Sequence, residues 1–219
     1  REAIRINPDH ADSYRLLALA SKQLDRLPEA EAALQHSVEL LPREPGLRFA
    51  LGEVLRDLGR YSEAGEAFRA CIDLDHNHSD AWTALGNLYG DAGHHAEAVS
   101  AFECALGLKV DLVDALLGIA RSYAELGRME DSAESLRQAV RYRPDHADAL
   151  WRLALTYERM GRWQEAADAC KRAVRLRPQS AEAHQKLGVL CMYTERPDEA
   201  IEALREAVRL KPDMAHAHY

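Results

Sequence analysis

Apolar residues along the chain recur at spacings of three and four, the period of one face of an α-helix. Trp82, Leu85, Gly86, Tyr89 and Ala92 form one such run, and Ala98, Phe102, Ala105 and Leu106 form the next. Between runs stands a glycine, at Gly59, Gly93, Gly127 and Gly161, where it supplies the left-handed conformation that ends a helix. The pattern therefore predicts helical hairpins. The second helix of each opens on an acidic residue, Glu29, Glu63, Glu97, Asp131, Glu165 or Glu199, which the helix dipole favours there. Four of these helices run into Pro42, Pro144, Pro178 or Pro212, which cannot continue them.

The hairpins repeat in register. Counted from Ala11, the seventh residue of each 34-residue segment is Leu17, Leu51, Leu85, Ile119, Leu153 and Leu187, and the eighth is always small: Ala18, Gly52, Gly86, Ala120, Ala154 and Gly188. Repeats then occupy 11–44, 45–78, 79–112, 113–146, 147–180 and 181–214. Residues 1–10 align with the end of a preceding repeat and 215–219 with the start of a further one, so the sequence reads as a segment of a longer array without polar caps. Small residues at Ala30, Ala64, Ala98, Ser132, Ala166 and Ala200 let helix backbones approach, and Leu34, Phe68, Phe102, Leu136 and Leu204 fill the space beside them.

This alternation of large and small positions resembles the tetratricopeptide repeat (TPR) family, most closely in the third repeat, Ala81-Trp82-Thr83-Ala84-Leu85-Gly86-Asn87-Leu88-Tyr89 through Glu97-Ala98 to Phe102. The resemblance implies an all-α, right-handed superhelical solenoid of antiparallel helix pairs, with the first helices lining a concave groove. Departures are local. His76 and Val110 replace the closing proline, Arg48 and His184 replace a large apolar residue, and Asp25 and Glu195 replace the turn glycine.

Charge excludes some functions. With 36 acidic against 28 basic side chains the net charge is -8, which argues against a sequence-independent nucleic-acid binder, and no apolar run is long enough to span a membrane. Residues 1–112 carry 19 acidic and 11 basic side chains, and 113–219 carry 17 of each, so the whole excess lies in the first half. On the neutral half the second helices carry a basic ridge: Arg137, Arg141 and Arg143, then Lys171, Arg175 and Arg177, then Arg205, Arg209 and Lys211. Cations near helix ends are favourable in themselves; an anionic partner, or head-to-tail association of a basic end with an acidic one, is the sharper reading.

Catalytic chemistry finds little support. Asp75, His76, His78 and Asp80 could ligate zinc, as could His94 and His95, but the two groups fall at opposite ends of a helix of about 20 Å and cannot share one ion, so no metal and no cofactor is expected. They read as loop histidines without a role. Cys71, Cys104, Cys170 and Cys191 all fall within helices and read as buried thiols acting as small hydrophobes, with Cys170 and Cys191 as neighbours across an inter-repeat contact. No nucleophile triad or phosphate loop is present, so the expectation is not an enzyme.

Helical offsets place on the concave face Arg15 and Leu19; Phe49, Glu53 and Arg56; Asn87; Leu117 and Arg121; and Trp151, Leu155 and Arg159. Lys22, Glu158, Met192 and Tyr193 share it. Phe49, Leu117, Trp151 and Leu155 stand outside the inward apolar stripe, either as binding anchors or as padding of the inner curve. Two family groove codes are missing: no three successive repeats present the Lys and Asn set that clamps a chaperone carboxylate tail, and Leu16, Ala50, Ala84, Gly118, Arg152 and Lys186 do not form the asparagine ladder of O-GlcNAc transferases. The expected function is a protein-interaction scaffold that binds a partner peptide or helix in the groove. The alternatives are the substrate-recruiting arm of a larger glycosyltransferase or sulfotransferase, and an array that self-associates through its uncapped ends. Reduced thiols favour the cytosol, although such repeats also work in the periplasm.

Overall fold

The computed structural model describes residues 10–211. The partial repeats expected at 1–10 and 215–219 fall, apart from His10, outside the described residues. Twelve α-helices are present among the described residues: α1 (Ala11–Gln23), α2 (Leu27–Leu40), α3 (Pro45–Asp57), α4 (Tyr61–Leu74), α5 (Ser79–Asp91), α6 (His95–Leu108), α7 (Val113–Glu125), α8 (Met129–Tyr142), α9 (Ala147–Arg159), α10 (Trp163–Leu176), α11 (Ala181–Tyr193) and α12 (Pro197–Leu210). Odd-numbered helices have 13 residues and even-numbered ones 14. The fold is all-α, a succession of helix pairs. The chain divides into two compact units, residues 1–110 and 111–219, holding α1–α6 and α7–α12.

Within each unit a first helix packs on its own second helix, and that helix packs on the next first helix. In unit 1, Phe68, Ala64 and Cys71 of α4 are fully buried among Leu55, Ile72, Ala81 and Leu85, with Phe49, Trp82 and Tyr89 at the edge. Ala18, Ala30, Leu34, Leu47 and Val54 form the neighbouring cluster. In unit 2 the core buries Leu116, Ile119, Leu136, Ala139, Leu150, Cys170 and Leu190.

Every hairpin turn closes the same way. The backbone N–H five residues beyond a first-helix carbonyl donates to it: Arg26 to Ser21, Arg60 to Leu55, His94 to Tyr89, Arg128 to Tyr123, Arg162 to Tyr157 and Arg196 to Cys191, all at 2.8–2.9 Å. This is the Schellman arrangement, which needs a residue with positive φ just before the donor. Four turns use glycine there, but Asp25 and Glu195 take the same conformation, at φ 57° and 56°. The absence of glycine therefore leaves the turn intact and loads strain on the residue. A left-handed non-glycine residue costs about 1–2 kcal/mol, less for Asp, and glycine gives back roughly 0.5–1 kcal/mol in unfolded-state entropy. Glu195→Gly is thus expected to stabilise the chain by about 0.5–1 kcal/mol, read as a thermal midpoint raised by about 2 °C. A lowered midpoint would show that Glu195 makes a compensating contact.

The departure at His184 is absorbed by its ring, whereas the buried Nε of Arg48 makes no hydrogen bond among the described residues. Trp82 donates its indole N–H to the His76 carbonyl at 3.0 Å, and His184, at the same offset one hundred and two residues on, places Nε2 3.0 Å from the Pro178 carbonyl. The histidine thus stands in for the tryptophan at the equivalent carbonyl.

Candidate partner-binding surface

The first helices of unit 1 carry a charged network on their shared face. Lys22 of α1 reaches Glu53 at 3.4 Å and Asp57 at 3.3 Å on α3, and Arg56 reaches Asp57 at 3.1 Å and Glu53 at 3.9 Å. Glu53 and Arg56 are therefore brought together, with Lys22 and Asp57 as their partners. Arg15 is exposed and pairs with Asp12 at 3.1 Å, and Leu19 is exposed. Asn87 is half-buried and makes no hydrogen bond among the described residues. Phe49 turns instead toward the core: its ring lies 5.6 Å from that of Phe68 and 4.9 Å from that of His78. That placement packs it, partly buried, against the unit 1 core.

In unit 2, Leu117, Arg121, Trp151 and Leu155 are half-buried and Arg159 is exposed. Trp151 and Leu155 lie four residues apart and so share one face of α9. Next to them Lys186 of α11 holds both Glu158 oxygens at 2.9 Å. Of the three tryptophans, Trp82 has its carbonyl acceptor and Trp163 stacks on Tyr193 at 4.7 Å. The Trp151 indole N–H makes no hydrogen bond among the described residues, and it is not walled off from solvent. The half-buried indole thus keeps an unused hydrogen-bond donor. Tyr193 stays exposed at a position where Gln23, Asp57, Asp91, Glu125 and Arg159 are exposed too, whereas the positions equivalent to Met192 are half-buried or buried in preceding repeats.

Several histidines have a structural role. His10, His78 and His146 accept the backbone N–H of Ser13, Ala81 and Ala149 on Nδ1, at 3.1–3.2 Å, as Ser180 accepts that of Ala183 on Oγ. They are N-caps, which corrects the expectation of loop histidines without a role for His78. Asp75 accepts from the Asn77 N–H at 3.0 Å, and the rest of that acidic and histidine-rich segment shapes the start of α5. Among the described residues no three metal-ligating side chains gather.

Cysteines need a correction as well. Cys71, Cys170 and Cys191 are buried, but Cys104 is exposed, at the rim of a cavity it shares with Arg69 and Asp73 of α4. Burial pushes the Cys71 thiol up to about 11 and the Cys170 thiol up to about 12, and raises Cys191. Cys170, whose thiol titration also feels Cys191, places its Sγ 3.6 Å from the Ala183 carbonyl. These three thiols lack the thiolate character of a nucleophile.

The acidic first turns of the second helices do more than complement a dipole. Arg60 pairs with Glu63, Arg128 with Asp131 at 2.7 Å and Arg162 with Glu165, and Arg60 also crosses to Glu31 at 2.6 Å. Bonding to arginine holds the Glu63 and Glu165 carboxyls below their ordinary value. A lowered carboxyl stabilises the fold above its unfolded pKa of about 4.5 and ceases to as pH falls below its folded one. Being largely exposed at Glu63, Asp131 and Glu165, these pairs tune rather than hold the fold.

Sequence reasoning missed the Lys186–Glu158 pair and the Trp163–Tyr193 stack. The stack joins the first residue of α10 to the last residue of α11, and a tabulation of the turn-side positions, rather than of the groove offsets, would have brought the two aromatics together.

No helix among the described residues is long and apolar enough to cross a membrane. No curated protein matches the chain. Solved structures do: a protein from Pseudomonas aeruginosa, PilF, at a TM-score of 0.77 and 17% identity over 92% of each chain; YrrB, described as a TPR protein with an unusual peptide-binding site, at 0.72 and 21% over 83% of this chain and 93% of that one; and MamA, at 0.69 and 22% over 76% and 97%. At such identities the likeness is one of fold. Sequence models of the tetratricopeptide repeat match residues 45–88, 83–139, 117–181 and 157–219, an unbroken run over most of the chain. The six-fold helical hairpin, its uniform turn and these matches together make the chain a member of the tetratricopeptide repeat family.

Proposed function

We propose that the chain is a non-catalytic interaction scaffold whose first-helix faces bind an extended or helical segment of a partner protein. The observation that carries this is Trp151, half-buried beside Leu155 with an indole N–H that no acceptor takes up among the described residues. Leu117 extends the apolar surface, and Arg121 and Arg159 supply charge at its rim. On unit 1, Arg15, Leu19, Glu53, Arg56 and Asn87 form a more polar surface, with Phe49 as its support. YrrB, with its peptide-binding site on the same fold, agrees with this reading.

The test is selection of binding peptides from a random display library on the full chain, followed by affinity measurement on Trp151→Ala. Selected peptides should bind Trp151→Ala at least about tenfold more weakly, since truncating an interface tryptophan costs more than about 1.4 kcal/mol. Unchanged affinity across all selected peptides, with the variant's melting curve intact, would overturn the reading.

A second observation favours self-association. Leu16 of α1 is 62% exposed, and Met192, Ile201 and Val208 of α11 and α12 are 65%, 50% and 46% exposed. Exposed apolar side chains of this kind on α1 and on α11 and α12 suit a contact between copies. Sedimentation should then depend on concentration, and Ile201→Glu should abolish the dependence. One species at all concentrations contradicts it.

A further inference from the structure

On the side of the second helices in unit 2, a cavity of about 470 Å³ opens between α8 and α10, floored by α9. Its floor is apolar, with Val140, Leu153 and Ala169 buried beneath it and the Tyr157 ring to one side. Three arginines and two carboxylates line it, and most of that charge is already matched from outside. Arg137 pairs with Glu134, Glu165 with Arg162, and Asp168 with Arg196 at 3.1 Å. What is left is Arg141 and Arg172, neither of which makes a hydrogen bond or ion pair among the described residues.

The equivalent cavity in unit 1 serves as an internal comparison. It has about 530 Å³ and the same apolar floor, but Arg69, its single cation, donates to the Tyr89 hydroxyl at 3.2 Å, and two carboxylates, Asp73 and Glu97, share its rim with Ser100 and Cys104. The larger cavity between α10 and α12, about 800 Å³, carries as many carboxylates as cations. Shape is common to all three. A surplus of two uncompensated guanidinium groups over an apolar floor belongs to the one between α8 and α10.

We propose that this cavity binds an acidic segment of a partner protein, with a carboxylate side chain held by Arg141 and Arg172 and an adjacent apolar side chain resting on Val140 and Leu153. Guanidinium groups suit carboxylates through paired N–H donors, and a partly dry floor strengthens such bonds. Two features select a peptide over a simple anion: the floor rewards an apolar neighbour, and the chain's overall charge of -8 repels anions that make no close contact. The site lies on the second helices, so it stands or falls independently of the surface around Trp151.

The experiment uses the full chain and a fluorescein-labelled peptide of alternating glutamate and leucine, read by anisotropy at low salt. Binding is expected to weaken at least about tenfold in Arg141→Glu/Arg172→Glu. The variant Arg43→Glu/Lys109→Glu, which changes net charge equally on unit 1, should change it by less than about twofold. A milder pair, Arg141→Gln/Arg172→Gln, removes the charge without reversing it and should also weaken binding. Unchanged affinity in both Arg141/Arg172 variants, or an equal loss in the unit 1 variant, overturns the assignment. So does a probe with glycine in place of leucine that binds as tightly, since that site would take any polyanion.

Discussion

Phe68→Ala is expected to cost about 3–5 kcal/mol, a large share of the stability of a small helical unit. Phe68 has no exposed surface and sits in a buried cluster with Leu55, Ala64, Ala67, Cys71, Ile72, Ala81 and Leu85 from α3, α4 and α5, with the Phe49 ring 5.6 Å away. Removing it deletes the wedge that joins one helix pair to the next. The cavity cannot collapse readily, because the residues opposite include Gly52, Ala64 and Ala81, whose side chains are too short to fill it. Thermal or urea unfolding followed by circular dichroism measures the loss. In a stack whose repeats touch only their neighbours, unit 1 should melt before unit 2, so the curve should show two steps. A single cooperative transition displaced by less than about 1 kcal/mol would mean that α3 and α5 close the gap.

Much of this was legible beforehand, and for a physical reason. A repeat multiplies a weak helical signal, so one ambiguous amphipathic run becomes six in register, and the turn glycines and closing prolines set the phase. Core positions follow from the same period, which is why Phe68, Phe102 and Leu136 were identifiable as buried. The surface was harder. Helical offsets state which face a residue occupies but not which way its side chain leans, so Phe49, at a groove offset, bends back over Phe68. Caps were illegible for another reason: histidine is a good acceptor only when its backbone places Nδ1 over the third N–H, and His76 and His78 look alike in sequence although one offers its carbonyl to Trp82 and the other its ring to Ala81. Pairings between repeats, such as Lys186 with Glu158, depend on the rotation from one hairpin to the next, which no single repeat encodes.

Gly86→Ala should destabilise the chain by about 1–2 kcal/mol even though alanine is the better helix former by about 1 kcal/mol. A Cβ built on Gly86 would lie 2.8 Å from two carbons of the Phe102 ring, and that ring is wholly buried and has nowhere to retreat. Overpacking therefore outweighs propensity. The chain itself supplies the control, because the small residue and its partner sixteen positions later vary together: Gly52 with Phe68 and Gly86 with Phe102, but Ala18 with Leu34, Ala120 with Leu136 and Ala154 with Cys170. Gly188 with Leu204 mixes the two sets, and a Cβ there would come within 2.5 Å of the leucine Cγ. Phe102→Leu alone should leave a void and cost about 1–2 kcal/mol. The double variant Gly86→Ala/Phe102→Leu reproduces the pairing of the first and fourth repeats and should be more stable than either single change, with a coupling of at least about 1 kcal/mol in a double-mutant cycle. Additive losses would break the link between the two positions.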